Sequence, residues 1–304
     1  MGTKVAGCLG VMLMLPARDA AATLPQTPGD AGGLGTVIDS ILKLDMADYL
    51  LVRRGRLLGP SDRSNLSGPF VMSRPGATSI YSAAGAGAFM SPNAGLMERD
   101  DGLVAAGNCR AGRTKYFLGV FNLDSAHDDL MVSGGVHVAL LGTGPGPWGS
   151  GGAFDERNVV TMGVGFQYQK RAAGTKDPQN SGDSANANMV MGDLRAEKTL
   201  SRVGTVFLEA TYYRFAAGES TRQTTYILAS FRTPDYPGIG RVQPIFRWHQ
   251  ASTQSSETKR TMLDAFVTYL IHGHDLRVTA GYQRTDLGHA IIGNAIQAGL
   301  QLRK

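Results

Sequence analysis

The residues able to do chemistry are few and scattered. His249, Ser252 and Asp264 are the one set that could supply a base, a nucleophile and an orienting carboxylate. A hydrolase needs those three in a fixed geometry, and nothing in their spacing imposes one. An enzyme is therefore not the expectation. His272-Gly-His274 could suggest a metal site, but the only carboxylate beside it is Asp275. Zinc takes three or four protein ligands, so a polar turn is the simpler reading. The two cysteines, Cys8 and Cys109, make neither a disulfide framework nor a Cys-based zinc site. Gly85-Ala-Gly87 and Gly142-Thr-Gly144 lack the strand-to-helix context of phosphate loops. Neither a metal nor a cofactor is expected. What remains is charge placed at intervals. Arg195, Glu209, Arg247, His249, Asp264 and Arg277 recur on one side of the segments that hold them. Lining a water-filled channel, they would set its transverse field and bias it by charge. On a soluble sheet they would simply face solvent. A second group, Arg53, Arg54, Arg56, Arg63, Arg74 and Arg99, lies in and around a long early loop. Folded into a channel, that loop would give an anion-attracting constriction, with Arg56, Arg63, Arg74 and Arg99 as candidates. Left outside, it is an exposed basic loop.

The elements that carry these residues alternate in twos. In Val203 to Phe215, Val206, Leu208, Ala210 and Tyr212 fall on one side and Thr205, Glu209 and Thr211 on the other. That is the side-chain period of a strand. The run is longer than the roughly 5–6 residues of an ordinary strand and suits the about 9–11 of a tilted bilayer-crossing one. The pattern repeats. Val160, Met162, Val164, Phe166 and Tyr168 oppose Thr161, Gly163, Gly165, Gln167 and Gln169. Leu263, Ala265, Val267, Tyr269 and Ile271 oppose Asp264 and Thr268. Strands are expected at about 48–56, 101–110, 115–122, 133–141, 158–169, 187–197, 203–215, 223–232, 241–250, 262–271, 275–284 and 293–303. Short and long connectors between them alternate, as periplasmic turns and external loops do in outer-membrane barrels. The polar face is Gln, Thr and Gly with scattered Arg, Asp and His, where a soluble sandwich would be dense in Lys and Glu. Pro244 inside a strand removes a ladder donor and counts against full pairing there.

These features predict an all-β fold, a transmembrane antiparallel β-barrel over 48–304 with about 12 strands visible. Residues 1–22 resemble a signal peptide, with Lys4, an apolar run and Ala20-Ala21-Ala22. Residues 23–47 are linker or ambiguous, and Val37 to Leu51 could begin as a helix. The loop spans about 60–100. The net charge of +5 is spread out, with no dense basic run, so nucleic acid is not an expected partner. No run of 18 apolar residues exists, which excludes a transmembrane helix but not a barrel.

Several phrases resemble the phosphate-selective family of Gram-negative porins. Gly55-Arg-Leu-Leu-Gly-Pro is similar to the family's early strand and loop. Arg99-Asp-Asp-Gly-Leu-Val-Ala-Ala-Gly107, followed by Gly112-Arg-Thr-Lys-Tyr-Phe-Leu-Gly-Val-Phe-Asn122, resembles its hallmark pair. Asn158 to Gln169 and Thr279-Ala-Gly-Tyr-Gln283 fit its later strands. The resemblance implies a 16-stranded barrel, usually trimeric, in the cell outer membrane, passing anions or small solutes passively. The partners implied are outer-membrane lipid, small solutes or anions, and two further copies in a homotrimer. With fewer strands visible and a non-aromatic end, Leu-Gln-Leu-Arg-Lys304, the chain reads as an N-terminally shortened member. No Arg/Lys ladder here matches the family's constriction, so phosphate is not carried over. The competing expectations are a non-conducting surface barrel, for adhesion or assembly, and a secreted soluble β-sandwich binding protein.

Overall fold

The computed structural model describes residues 11–14, 42–45, 50–58, 99–109, 112–121, 130–143, 158–170, 186–217, 220–234, 240–254, 259–272, 276–288 and 290–302. All of its regular structure is strand: β1 (Val11–Met14), β2 (Leu42–Asp45), β3 (Leu51–Leu58), β4 (Arg99–Cys109), β5 (Thr114–Phe121), β6 (Met131–Leu141), β7 (Val159–Gln169), β8 (Ala187–Leu200), β9 (Gly204–Ala217), β10 (Ser220–Arg232), β11 (Arg241–Thr253), β12 (Lys259–His272), β13 (Leu276–Leu287) and β14 (Ala290–Leu302). They form one 14-stranded sheet in which β2 to β14 follow one another in chain order. Each of those neighbours is antiparallel, while β1 pairs in parallel with the end of β14. The sheet is open, with β1 at one edge and β2 at the other.

Strands β8 to β12 run 13 or 14 residues, longer than the alternation alone suggests. Cross-strand partners carry the ladders on to Leu200, Ala217 and Thr253. The turns explain where they stop. Between β8 and β9 the chain reverses in three residues, with Val203 N donating to Leu200 O at 3.0 Å. Arg202 takes a left-handed φ of 63° there, and Gly204 follows at φ 138°. A Cβ on Gly204 would lie 2.3 Å from the Arg232 carbonyl oxygen, so only glycine fits.

Two expectations need correcting, and the one about Pro244 holds on one side of its strand. Leu42–Asp45 is a strand paired with Leu51 to Arg54, where a helix was also open. The partner across the sheet supplies hydrogen bonds that an isolated short helix would have to make alone. The connectors do not sort by length. The strand ends separated by 40 residues (Leu58 and Arg99) lie at the same end of the sheet as Ala217 and Ser220, which only two residues separate, and the ends Leu141 and Val159 lie at the other beside Leu200 and Gly204. Pro244 lies inside β11 without breaking it. Its ladder with β10 ends at Ser230 and Ile245, one residue short of the missing donor. The Ser230 hydroxyl donates to the Pro244 carbonyl oxygen at 2.8 Å. The possible signal segment 1–22 and the linker lie largely outside the described residues, as do the loop over 60–98 and the turn at 273–275.

Burial is inverted. On β7 the residues Val160, Met162, Val164, Phe166 and Tyr168 point to the open side, with Val164 61% exposed. Gln167 and Gln169, on the other side of the same strand, are about fully buried, at 1% and 0%. The same holds on β11, β12 and β13. Phe246, Val267, Tyr269, Val278 and Tyr282 are exposed, whereas Gln243, Arg247, His249, Asp264, Thr268 and Arg277 are buried. A single sheet whose enclosed face carries charges and amides beside apolar groups, and whose exposed face is largely apolar, has the arrangement of a membrane-barrel wall. Water would penalise it, because the apolar side chains gain nothing by exposure.

Candidate functional site: a charged belt on the enclosed face

Cross-strand register turns scattered residues into rows. One row runs Thr161, Arg195, Glu209, Leu228, Arg247, Asp264 and Gln283 across β7 to β13. All lie on the enclosed face. Four of the six residues singled out by alternation stand in it: Arg195, Glu209, Arg247 and Asp264. A fifth, His249, is in the next row with Asp193, Thr211, Tyr226 and Met262. Arg277 lies toward the other end of the sheet on β13. Arg195, Arg247, His249, Asp264 and Arg277 are buried, and Glu209 is half-buried.

The charges are held by neighbours. Arg247 Nη2 contacts Asp264 Oδ2, its direct cross-strand partner. Gln283 Nε2 donates to Asp264 Oδ1 at 2.9 Å, and Gln297 Nε2 donates to Gln283 Oε1 at 3.1 Å. A polar chain thus spans β11, β12, β13 and β14. Arg195 Nη2 lies 3.1 Å from Glu197 Oε2, two residues on along the same face, and its guanidinium sits 5.2 Å over the Phe207 ring. Arg277 donates from Nε and Nη2 to the single Oε1 of Gln301, at 3.1 and 2.7 Å. Thr268 and Thr279 hydroxyls share a hydrogen bond of 2.8 Å. Charge-assisted bonds of this kind fix side chains that would otherwise wander.

The sequence reading missed the second row's other charges. Lys115, His137, Gly163 and Asp193 are consecutive cross-strand partners on β5, β6, β7 and β8. His137 Nε2 reaches over the glycine to within 3.1 Å of Asp193 Oδ2. A Cβ on Gly163 would sit 1.9 Å from His137 Cδ2 and 2.5 Å from Asp193 Oδ2. The contact exists because that position has no side chain. One signal was available: Asp193, Arg195 and Glu197 occupy every second position of one strand, so all three must share a face.

Among the described residues, the buried charged side chains number six basic (Arg53, Lys115, Arg195, Arg232, Arg247, Arg277) and three acidic (Asp193, Glu197, Asp264). The early basic group is only partly brought in. Arg53 is buried and Arg54 exposed, on opposite sides of β3. Arg56 and Arg99 lie in β3 and β4, with Arg56 paired to Asp101 and Leu58 to Arg99. Arg63 and Arg74 are outside the described residues. His249 and Asp264 lie on the enclosed face, whereas Ser252 falls on the opposite one, so the three cannot form a hydrolytic triad. Among the described residues no group of three His, Cys, Asp or Glu could hold a metal ion. His272 ends β12, and His274 is outside the described residues.

An apolar layer shares the enclosed face. Met189, Met191, Phe207, Tyr213, Phe215, Tyr226, Leu228, Ile245 and Phe266 form one packed cluster over β8 to β12. It runs through the charged rows at Leu228 and Tyr226 and continues on both sides of them along the strands.

No family model matches the sequence, and no curated protein matches it. Among solved structures, an anion-selective porin from Comamonas acidovorans is similar. It is 14% identical, over 86% of this chain and 72% of that one, with a TM-score of 0.48. At that identity and overlap, nothing about solutes transfers.

Proposed function

We propose that this chain is an outer-membrane porin, a passive diffusion channel for small hydrophilic solutes with a lean toward anions. The observation that carries the reading is the inverted sheet, with charge and amides enclosed and apolar side chains turned out. The anion lean rests on the excess of buried basic over buried acidic groups. Selectivity would come from pore width and from the belt of Arg195, Glu209, Arg247, His249, Asp264 and Arg277, with no covalent chemistry. Closure of the open sheet, by further strands or by its own edges, is part of the proposal, since an unpaired edge in lipid is costly.

A second reading is favoured by one observation. The nine-residue apolar cluster is tightly packed, with Met189 and Tyr213 at 0% exposure, as in a plugged and non-conducting barrel. Planar-bilayer recording separates the two. Discrete current steps, with a reversal potential toward chloride in asymmetric KCl, support the channel. A heat-modifiable protein that inserts and never conducts supports the plug. A protein that stays soluble without detergent contradicts both.

A further inference from the structure

The outward face is not the same at its two ends. At the end where β14 finishes, the row Val242, Tyr269, Val278 and Leu300 and, beyond it, Leu276 and Leu302 are apolar, with Lys198 on β8 the exposed outward cation near that end. Toward the opposite end the face changes within three rows. Ala210, Ile227, Trp248 and Leu263 make an apolar row. The next is Tyr212, Thr225, Gln250 and Thr261, an aromatic followed by hydrogen-bonding groups. Beyond it stands Arg214, Gln223, Ser252 and Lys259 on β9, β10, β11 and β12. Arg214, Gln223 and Lys259 are exposed and Ser252 half-exposed. Strands of 13 and 14 residues exceed the about 9–11 needed to cross a bilayer, so one end must emerge from the hydrocarbon. Over β9 to β12, where two cations share one outward row, the row chemistry favours this end.

We propose that the row Arg214, Gln223, Ser252 and Lys259 is a docking ledge for the phosphate-bearing headgroup of an anionic membrane lipid, whose acyl chains lie on Ile227, Trp248 and Leu263. This rests on the reading of the chain as a membrane barrel. Two cations stand three strands apart, about 14 Å at about 4.8 Å per strand, with two neutral hydrogen-bonding side chains between them. Arginine and lysine donate charge-assisted hydrogen bonds to phosphate oxygens, and the Gln amide and Ser hydroxyl can donate to the oxygens that remain. The apolar floor begins two rows below, beyond Tyr212, Thr225, Gln250 and Thr261, which leaves hydrogen-bonding groups at the depth of a lipid's glycerol and ester region. Basic groups at this depth attract anionic lipid over neutral lipid.

The test is native mass spectrometry of the full-length protein in detergent, titrated with phosphatidylglycerol or phosphatidylcholine. Heat-modifiable migration of each sample is checked first. The unaltered protein should retain phosphatidylglycerol at least threefold over phosphatidylcholine. R214Q should reduce that preference, and R214Q combined with K259Q should abolish it. Lys198→Gln, outward at the opposite end, should leave it unchanged. A preference that survives in the double variant overturns the ledge. So does displacement of the lipid by glycerol phosphate, which would make soluble phosphate the ligand. A heat-modifiable, conducting protein without lipid preference sinks the ledge alone, whereas a protein that never inserts sinks the barrel reading as well.

Discussion

Gly163 is where a single atom decides the local arrangement. It lies between His137 and Asp193 in register, and their side chains meet in the space a Cβ would fill. Gly163→Ala must push the imidazole aside or distort the ladder. Overpacking of that kind costs about 1–3 kcal/mol. The variant should unfold at lower urea than the parent, read by loss of the heat-resistant band, while Gly165→Ala serves as the comparison. Asp264 is the second residue to test. It is buried against Arg247 and accepts from Gln283. Asp264→Asn removes one carboxylate from the enclosed belt and leaves the arginine uncompensated. If the belt lines a conducting path, the chloride-to-potassium permeability ratio should rise in D264N and fall in Arg247→Gln. Equal ratios in both variants would remove the belt from the conduction path. Arg277 and Gln301 bind β13 to β14 through two hydrogen bonds, so Gln301→Ala should destabilise by about 1–3 kcal/mol.

Strand identity was legible from the sequence because a period of two survives any detail of packing. Val160 to Gln169 shows it with no exception, and the burial of β7 alternates in step. The six charged residues named from alternation do share one face for the same reason. Register was not legible. Nothing in the local sequence says that Arg247 stands opposite Asp264, or that His137 and Asp193 meet across a third strand. Those facts depend on turn lengths and on how far each ladder extends. The short strands Val11–Met14 and Leu42–Asp45 were missed because four residues give no period to read. Alternation also makes a prediction for the elements. Phe246 lies near the middle of the outward apolar band, between the row of Pro244 and Val267 and the row of Trp248 and Leu263. Phe246→Arg should cost about 2–4 kcal/mol if this face meets lipid near its midplane. The same change at Ser252, near the polar end of β11, should cost far less. Equal, small effects at both positions would argue for water on that face.

At the scale of the whole molecule, one sheet has to solve two problems with its two faces. Enclosed charges need partners, and they have them in Glu197, Asp264, Gln283 and Gln301. Exposed apolar side chains need a medium that does not penalise them, and Val164, Ile296 and Leu140 are each more than half exposed. A soluble sandwich would meet neither condition, since its apolar faces would be turned inward. The central claim is therefore the direction of the faces. It is tested most directly by single cysteines along β7 in a background with Cys8 and Cys109 replaced by serine, reconstituted in lipid vesicles. Each cysteine is labelled with an environment-sensitive fluorophore and exposed to nitroxide-bearing lipids. Quenching should be strong at Met162, Val164 and Phe166 and weak at Thr161, Gly165 and Gln167. Uniform quenching, or quenching with the opposite phase, would contradict an apolar face turned to lipid.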